Sequence, residues 1–369
     1  MSNQLLLQRI VRTLSPPRET GLIGAFAYGS VAFPQHGRPC SDSQLDLILI
    51  VRDPERWHVQ NASRYPMHYS FLMRNNPRFF VRTILSRFPG PQILYNPFIP
   101  WFDECEGKQL RLKYGVVGHA KIEQDLESWS SLYLAGRLHK PVLWIPLGDE
   151  QPPSDSVRNL NKLVSNNLLA AMSYVLLQVN PSRPFLTEFE LFRAITSISY
   201  DGDWRMLVGE DKNKVDRIVT GQERLSRFQS LYSTTLAHPS LSKHVGLLPT
   251  DATSAANEVH FSQPPDSKDV VMSLLNNIPT DVCRRALPGR RFWNCDPREV
   301  LAEISAVERQ LRLRRTVRRI VMLSSVQQTA FGICTTGPVR SVLYAKEKLR
   351  KMLASLGLLN CMHNLEVEL

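Results

Sequence analysis

The sequence predicts an α+β fold, a mixed sheet with flanking helices followed by a mainly helical region. Three observations carry this. Two apolar runs of strand composition, GLIGAFAY at 21–28 and QLDLILIV at 44–51, flank a loop marked by Pro34, Gly37, Pro39 and Ser41. A further strand of alternating charge, KQLRLKYGVV, lies at 108–117. Helical character then dominates 154–220 and 297–325.

Taken in order, Leu5, Leu6, Arg9, Ile10 and Leu14 give a basic amphipathic helix that Pro16 and Pro17 end, with no acidic residue before Glu19. It reads first as the opening helix of the fold and second as a cleaved mitochondrial transit peptide. Residues 52–74 are polar and partly helical, and 119–138 space their apolar residues for one helix. The Ser/Ala/Pro-rich stretch 250–268 reads as a linker or surface loop. The organisation expected is a domain at 1–150, a helical domain at 151–250, the linker at 251–268 and a basic helical region at 269–369. Trp57, Trp129 and Trp204 read as core aromatics, and His58, His68 and His119 as polar loop or surface residues, none at metal-ligand spacing.

At 369 residues the chain is long enough for two domains. Its +11 charge favours an anionic partner: nucleic acid, nucleotide or acidic lipid. Six scattered cysteines without a C-x-x-C pair indicate reduced thiols rather than a zinc site or disulfide framework. No apolar run approaches the ~18–20 residues that cross a bilayer, so any membrane contact is peripheral.

Asp46 is the anomaly, an acid inside the apolar run 45–51. A glycine after a strand lets backbone approach a phosphate, and the N–H groups of the following turn bind it. Gly29 and Ser30 fit that role, and an Asp on the neighbouring strand can hold Mg²⁺ together with substrate phosphate oxygens. Strand, Gly-Ser, loop, strand and Asp in this order point to the polymerase-β-like nucleotidyltransferases, which usually carry two acids one residue apart on the second strand. Here the first of those positions is Gln44. The remaining candidates for a second carboxylate are Asp42, Asp201, Asp203, Glu210 and Asp211.

Further blocks sharpen the reading: YGSVAF at 28–33, LDLILIVRDPERWH at 45–58, HYSFL at 68–72, LKYGVV at 112–117, WSSLYLAGRLHKPV at 129–142 and SYDGDWRMLVGEDKNKV at 199–215. With QTAFGICTTG and SVLYAKEKLRKM near the C-terminus, they resemble the mitochondrial CDP-diacylglycerol synthases, the translocator assembly and maintenance family, over roughly 20–352. The resemblance implies a Mg²⁺-dependent reaction of CTP with phosphatidic acid that gives CDP-diacylglycerol and pyrophosphate and feeds cardiolipin synthesis. It also implies a polymerase-β-like nucleotidyltransferase domain followed by a winged-helix-like region. The location implied is peripheral, on the matrix side of the mitochondrial inner membrane.

Residue by residue, the resemblance implies that Gly29 and Ser30 form the nucleotide turn and that Asp46 is the catalytic metal ligand. Lys113, Tyr114, Arg137, Lys140, Arg205 and Lys212 become candidate phosphate-binding residues. Asp203 becomes the first choice for a second catalytic metal ligand, with Glu210 and Asp211 beside it. The sequence departs from the family at Val31, where a third turn residue is normally Gly, and its TTGPVRSVLY block is shorter and less basic.

The run Arg309, Arg312, Arg314, Arg315, Arg318, Arg319 reads either as a solvated helix face or as a dock for anionic lipid. Residues 301–369 hold 11 basic against 5 acidic residues. An RNA-directed nucleotidyltransferase would need exposed aromatics interleaved with cations. No such stripe stands out in the sequence, and no nucleic-acid partner is expected. A non-catalytic scaffold that keeps the fold is the third reading, with Gln44 and Val31 in its favour.

Overall fold

The computed structural model describes residues 3–15, 21–33, 44–104, 107–147, 154–179, 183, 185–208, 213–245, 247–248, 260–262, 264–287, 289 and 294–337. It is α+β, and the chain divides into two compact units. Unit one takes 1–123, 142–161 and 326–350, and unit two takes 124–141, 162–325 and 351–369.

Unit one is built on a five-stranded mixed sheet of order β3-β4-β2-β1-β5. The strands are β1 (Leu22–Tyr28), β2 (Gln44–Val51), β3 (Leu94–Asp103), β4 (Lys108–Gly118) and β5 (Leu143–Trp144). β2 and β4 run parallel, and the other pairs are antiparallel. Side chains alternate across a strand, and that alternation sorts β2. Leu45, Leu47, Leu49 and Val51 join Ala25, Ala27, Leu112, Tyr114 and Val116 in one core. Leu7, Ile10, Val11 and Leu14 of the helix Asn3–Leu14 cover it, as does Trp57 of the helix Pro54–Arg64. The N-terminal amphipathic segment is thus packed as the first helix of this unit. Asp46 points to the other face.

A second layer, with the helices Phe71–Asn75 and Pro77–Arg87, packs through Met73, Val81 and Ile84 onto Ala62, Tyr69, Leu94 and Phe331. Two helices of this unit begin alike. Asp53 and Asn76 each accept the backbone N–H three residues on, at 3.0 and 3.3 Å, and a proline follows each cap. Beneath this layer lies a polar network. The Asn61 amide donates to the hydroxyls of Tyr69 (2.8 Å) and Tyr114 (2.9 Å), with His58 on Tyr69 and His68 on Tyr114. His58 is therefore not the surface residue its sequence context suggests. It is buried, and burial lowers its pKa to about 3.

Unit two is mainly helical and carries a small sheet of order β6-β8-β7, from β6 (Phe185–Thr187), β7 (Leu247–Leu248) and β8 (His260–Ser262). The stretch read as a linker therefore supplies the central strand of this sheet, while 249–259 lie outside the described residues. A capping box between Thr187 and Glu190 starts the helix Glu188–Ser197.

Two helical expectations are corrected. The helix expected over 119–138 ends at Ser128, because Trp129 (φ 50°) and Leu132 (φ 55°) turn the chain into the left-handed region. The helix expected over 297–325 is two, Pro297–Glu303 and Ala306–Thr336. Trp57 and Trp129 are fully buried, as expected, whereas Trp204 is only part-buried. Among the described residues no helix is long and apolar enough to cross a membrane.

Candidate active site

In unit one the register sets Tyr28 of β1 opposite Asp46 of β2, and Asp46 opposite Lys113 of β4. All three lie on the sheet face away from the Leu45–Leu47–Leu49 core. At the end of β1 the chain turns into the short helix Gly29–Ala32, whose second residue is Ser30. Gly29 has φ 86°, and a Cβ there would lie 3.1 Å from Asp46 Oδ2. The bare backbone of the turn is thus pressed against the carboxylate, a cradle that any side chain would fill.

Asp46 Oδ1 lies 3.3 Å from Lys113 Nζ, and both side chains are partly exposed. Lys113 also sits over the Tyr95 ring, 4.9 Å from its centroid. A carboxylate, an ammonium and a turn of backbone therefore meet on one face of the sheet, at its central strands. Asp46 suits a hard cation that takes its remaining ligands from phosphate oxygens and water.

Gln44, where a second acid would sit, donates its amide to the Leu112 carbonyl at 3.3 Å. Among the described residues no cluster of three or more His, Cys, Asp or Glu could hold a metal. Asp42, Glu210, Asp211 and Lys212 lie outside the described residues.

Tyr114 is a correction. Adjacent strand residues face opposite sides, so Lys113 and Tyr114 cannot both meet a nucleotide on this face. Tyr114 is buried in the polar network with Asn61 and His68.

Unit two gathers the other expected residues around an open recess lined by Arg137, Lys140, Asp203 and Arg205. Arg205 grips Asp203 in a two-pronged ion pair, Nε to Oδ1 at 3.0 Å and Nη2 to Oδ2 at 2.6 Å. Asp203 is thus committed to a guanidinium, which counts against its reading as a metal ligand. Asp201 is likewise engaged, by Arg314 (3.2 Å) and Arg318 (3.1 Å).

Lys140 is the exceptional group. It is 5% exposed, donates to Ser199 Oγ at 2.6 Å and lies 4.8 Å from the centre of the Tyr200 ring. Among the described residues no carboxylate pairs with it. Burial, with Arg137 and Lys214 adding like-charge repulsion, drives its pKa well below the ordinary lysine value. A buried ammonium among cations is costly unless a negative charge compensates it.

Several parts of this recess escape sequence reasoning. Asp125 is buried and accepts four backbone N–H groups, from Ser131, Leu132, Leu134 and Ala135, at 2.8–2.9 Å. It pins the loop that delivers Tyr133 and Arg137. Two glycines of this unit sit in tight contacts. A Cβ on Gly136 would collide with Ser199, and one on Gly202 (φ 101°) would collide with the Arg318 carbonyl. Tyr133, Ser199, Tyr200 and Lys214 fall inside the blocks 129–142 and 199–215, and those blocks were the only signal for them.

The basic run is mostly occupied within unit two. Arg309 is buried against Asp266, Arg312 pairs with Glu308, and Arg314 and Arg318 hold Asp201.

The family model of the mitochondrial phosphatidate cytidylyltransferases matches residues 7–351. The phosphatidate cytidylyltransferase, mitochondrial, of Xenopus laevis is 33% identical over 336 residues, covering 90% of this chain and 91% of that protein. The Mus musculus protein of the same name is 32% identical over 334 residues, 89% and 90% of the two chains. The Schizosaccharomyces pombe protein of that name is 33% identical over 343 residues, 90% and 80%. On this match, which spans nearly the whole sequence and includes both the Gly29–Asp46 turn and the Lys140 recess, the chain belongs to the mitochondrial phosphatidate cytidylyltransferase family.

Proposed function

We propose that this chain is a Mg²⁺-dependent phosphatidate cytidylyltransferase, converting CTP and phosphatidic acid to CDP-diacylglycerol and pyrophosphate. The observation that carries the reading is the close approach of the bare Gly29 turn to the Asp46 carboxylate, with Lys113 alongside. A mixed sheet bearing this turn and acid supports a polymerase-β-like nucleotidyltransferase identity for unit one. The helices and small sheet of unit two support the winged-helix-like reading.

In this mechanism the N–H groups of the turn at Gly29 and Ser30 receive nucleotide phosphate oxygens, and Lys113 adds a charge-assisted donor. Asp46 would hold Mg²⁺, which when bound would supply neutralisation of the charge on the group in transfer. An oxygen of the phosphatidate phosphate attacks the α-phosphorus of CTP. The new P–O–P bond forms as the bond to the β-phosphate breaks, and pyrophosphate leaves. A phosphate monoester is largely dianionic at neutral pH (second pKa about 6), so no protein base is required. Arg137, Lys140 and Arg205 bind substrate phosphate in the recess of unit two. The setting is peripheral, on the matrix side of the mitochondrial inner membrane, in service of cardiolipin synthesis.

The test uses purified protein, Mg²⁺, labelled CTP and phosphatidic acid in liposomes. Labelled CDP-diacylglycerol from the wild type and none from Asp46→Asn is the expected result. No product from folded wild-type protein would return the scaffold reading to first place.

A further inference from the structure

No Asp or Glu occurs between residues 56 and 102, while six arginines do: Arg56, Arg64, Arg74, Arg78, Arg82 and Arg87. The whole segment is described and lies in unit one. Its two short helices are amphipathic in an unusual sense. Met73, Val81 and Ile84 face the core, yet the opposite face is also apolar. Phe71 is 69% exposed, Phe79 66% and Met67 65%, three of the four most exposed large apolar side chains among the described residues.

The spacing joins apolar and basic groups into one surface. Met67, Phe71 and Arg74 follow one another at four and three residues, and Arg74 Nη1 reaches Met67 Sδ at 3.6 Å. On the next helix Arg78, Phe79 and Arg82 share an exposed face. Glu55 approaches Arg78 only loosely, at 3.6 Å and in solvent. The contrast with the arginine run of the last helix is direct, since four of those six arginines are held by acids of their own unit.

We infer that the face formed by Met67, Phe71, Arg74, Arg78, Phe79 and Arg82 docks on a bilayer carrying anionic phospholipid. Exposed phenylalanines enter the acyl boundary while arginines meet lipid phosphates, the arrangement of an interfacial helix. The charge of the segment has one sign, and a membrane of the opposite sign complements it. The last helix also ends here, with Gly337 beside Ser70. The inference rests on the proposed activity only in that its lipid substrate is met at a bilayer. The face also supplies the exposed aromatic–arginine pattern that the sequence alone did not reveal, so a single-stranded nucleic acid is the rival occupant to be tested.

The experiment is flotation of the full chain with vesicles of phosphatidylcholine alone and of phosphatidylcholine mixed with phosphatidylglycerol. The wild type is expected to float only with the mixed vesicles. Phe71→Ser with Phe79→Ser should weaken that binding at least about tenfold. Arg78→Gln with Arg82→Gln should weaken it about fivefold per arginine, whereas Arg→Lys at both positions retains it. All four substitutions are at exposed positions, and circular dichroism checks the fold. Turnover of phosphatidic acid in mixed vesicles should fall with binding, while turnover of a short-chain, water-dispersed phosphatidic acid stays at the wild-type level. Flotation unchanged in the Phe and Arg variants overturns the docking face. So does loss in these variants of binding to single-stranded RNA with vesicle binding intact. If the wild type turns over neither substrate yet floats as described, the proposed activity fails and the docking face stands.

Discussion

Asp46 and Lys113 stand opposite one another across the parallel pair β2 and β4, with Oδ1 3.3 Å from Nζ. With both side chains partly in solvent, the pair is worth at most about 1 kcal/mol of stability. Asp46→Asn should therefore shift the melting temperature by only a few degrees. Turnover should fall roughly a hundredfold or more, because the charge that organises the phosphates is gone. Lys113→Met should instead raise KM for CTP about tenfold and leave a measurable kcat. Calorimetry beside steady-state kinetics separates the two. A large loss of stability in Asp46→Asn would make the pair structural.

Gly29 faces that same carboxylate. Its φ of 86° strains any side chain, and a Cβ there would lie 3.1 Å from Asp46 Oδ2, so the carboxylate would have to give way. Gly29→Ala should cost about 1–2 kcal/mol from the left-handed backbone alone. It should also depress nucleotide binding by pushing the turn off the acid. Isothermal titration with CTP, compared with chemical unfolding, measures both effects.

Asp125 is a third point of leverage. Removing its carboxylate strands four buried backbone donors at once. Asp125→Ala should destabilise the protein by roughly 3 kcal/mol or more, since each unsatisfied buried donor costs about 1–3 kcal/mol and the loop relaxes in part. Urea unfolding checks this, and a change below about 1 kcal/mol would mean that the loop holds itself.

These residues also show what a sequence exposes and what it hides. Gly29 and Asp46 were legible because an acid inside an apolar strand and a glycine at a strand end break local patterns for which folding alone has no use. β4 was legible from its alternation. Asp125 was not, because a carboxylate that caps a loop six to ten residues away looks like any polar residue on a helix. The break at Ser128 was hidden for a related reason: residues 119–138 keep helical spacing, and only tertiary hydrogen bonds turn Trp129 and Leu132 left-handed. Tyr114 was misplaced by reading a block rather than the two-residue period within it. The partners of the arginine run, Asp201 and Asp266, were hidden because they lie far away in sequence.

Acid should unfold this protein earlier than its carboxylates alone would dictate. His58 and His139 are buried neutral, each with its pKa lowered by burial to about 3 against an unfolded value near 6.5. Between those values the unfolded chain binds more protons than the folded one. The stability that these groups contribute is thus complete above pH about 6.5 and is lost as the pH falls towards 3. The slope is up to ~1.4 kcal/mol per pH unit per histidine. Urea midpoints measured from pH 7 down to pH 5 should fall steadily, and less steeply in His58→Gln.

Lys140 tests whether the recess of unit two exists for an anion. Its ammonium is buried beside Arg137 and Lys214, and its folded pKa lies below the unfolded value. Folding therefore forces the group towards its neutral form. The resulting cost is full at pH below the folded pKa and is relieved as the pH rises through it, so stability should climb on the alkaline side. Lys140→Met removes the charge and keeps the bulk. It should raise the melting temperature at neutral pH, flatten that alkaline climb, and lower kcat/KM at least about tenfold through KM. A residue kept for packing or for its bond to Ser199 would behave oppositely, losing stability on substitution and sparing KM. Added inorganic phosphate should stabilise the wild type more than the variant, because an anion in the recess favours the charged lysine. Equal stabilisation of both would mean that the phosphate binds elsewhere.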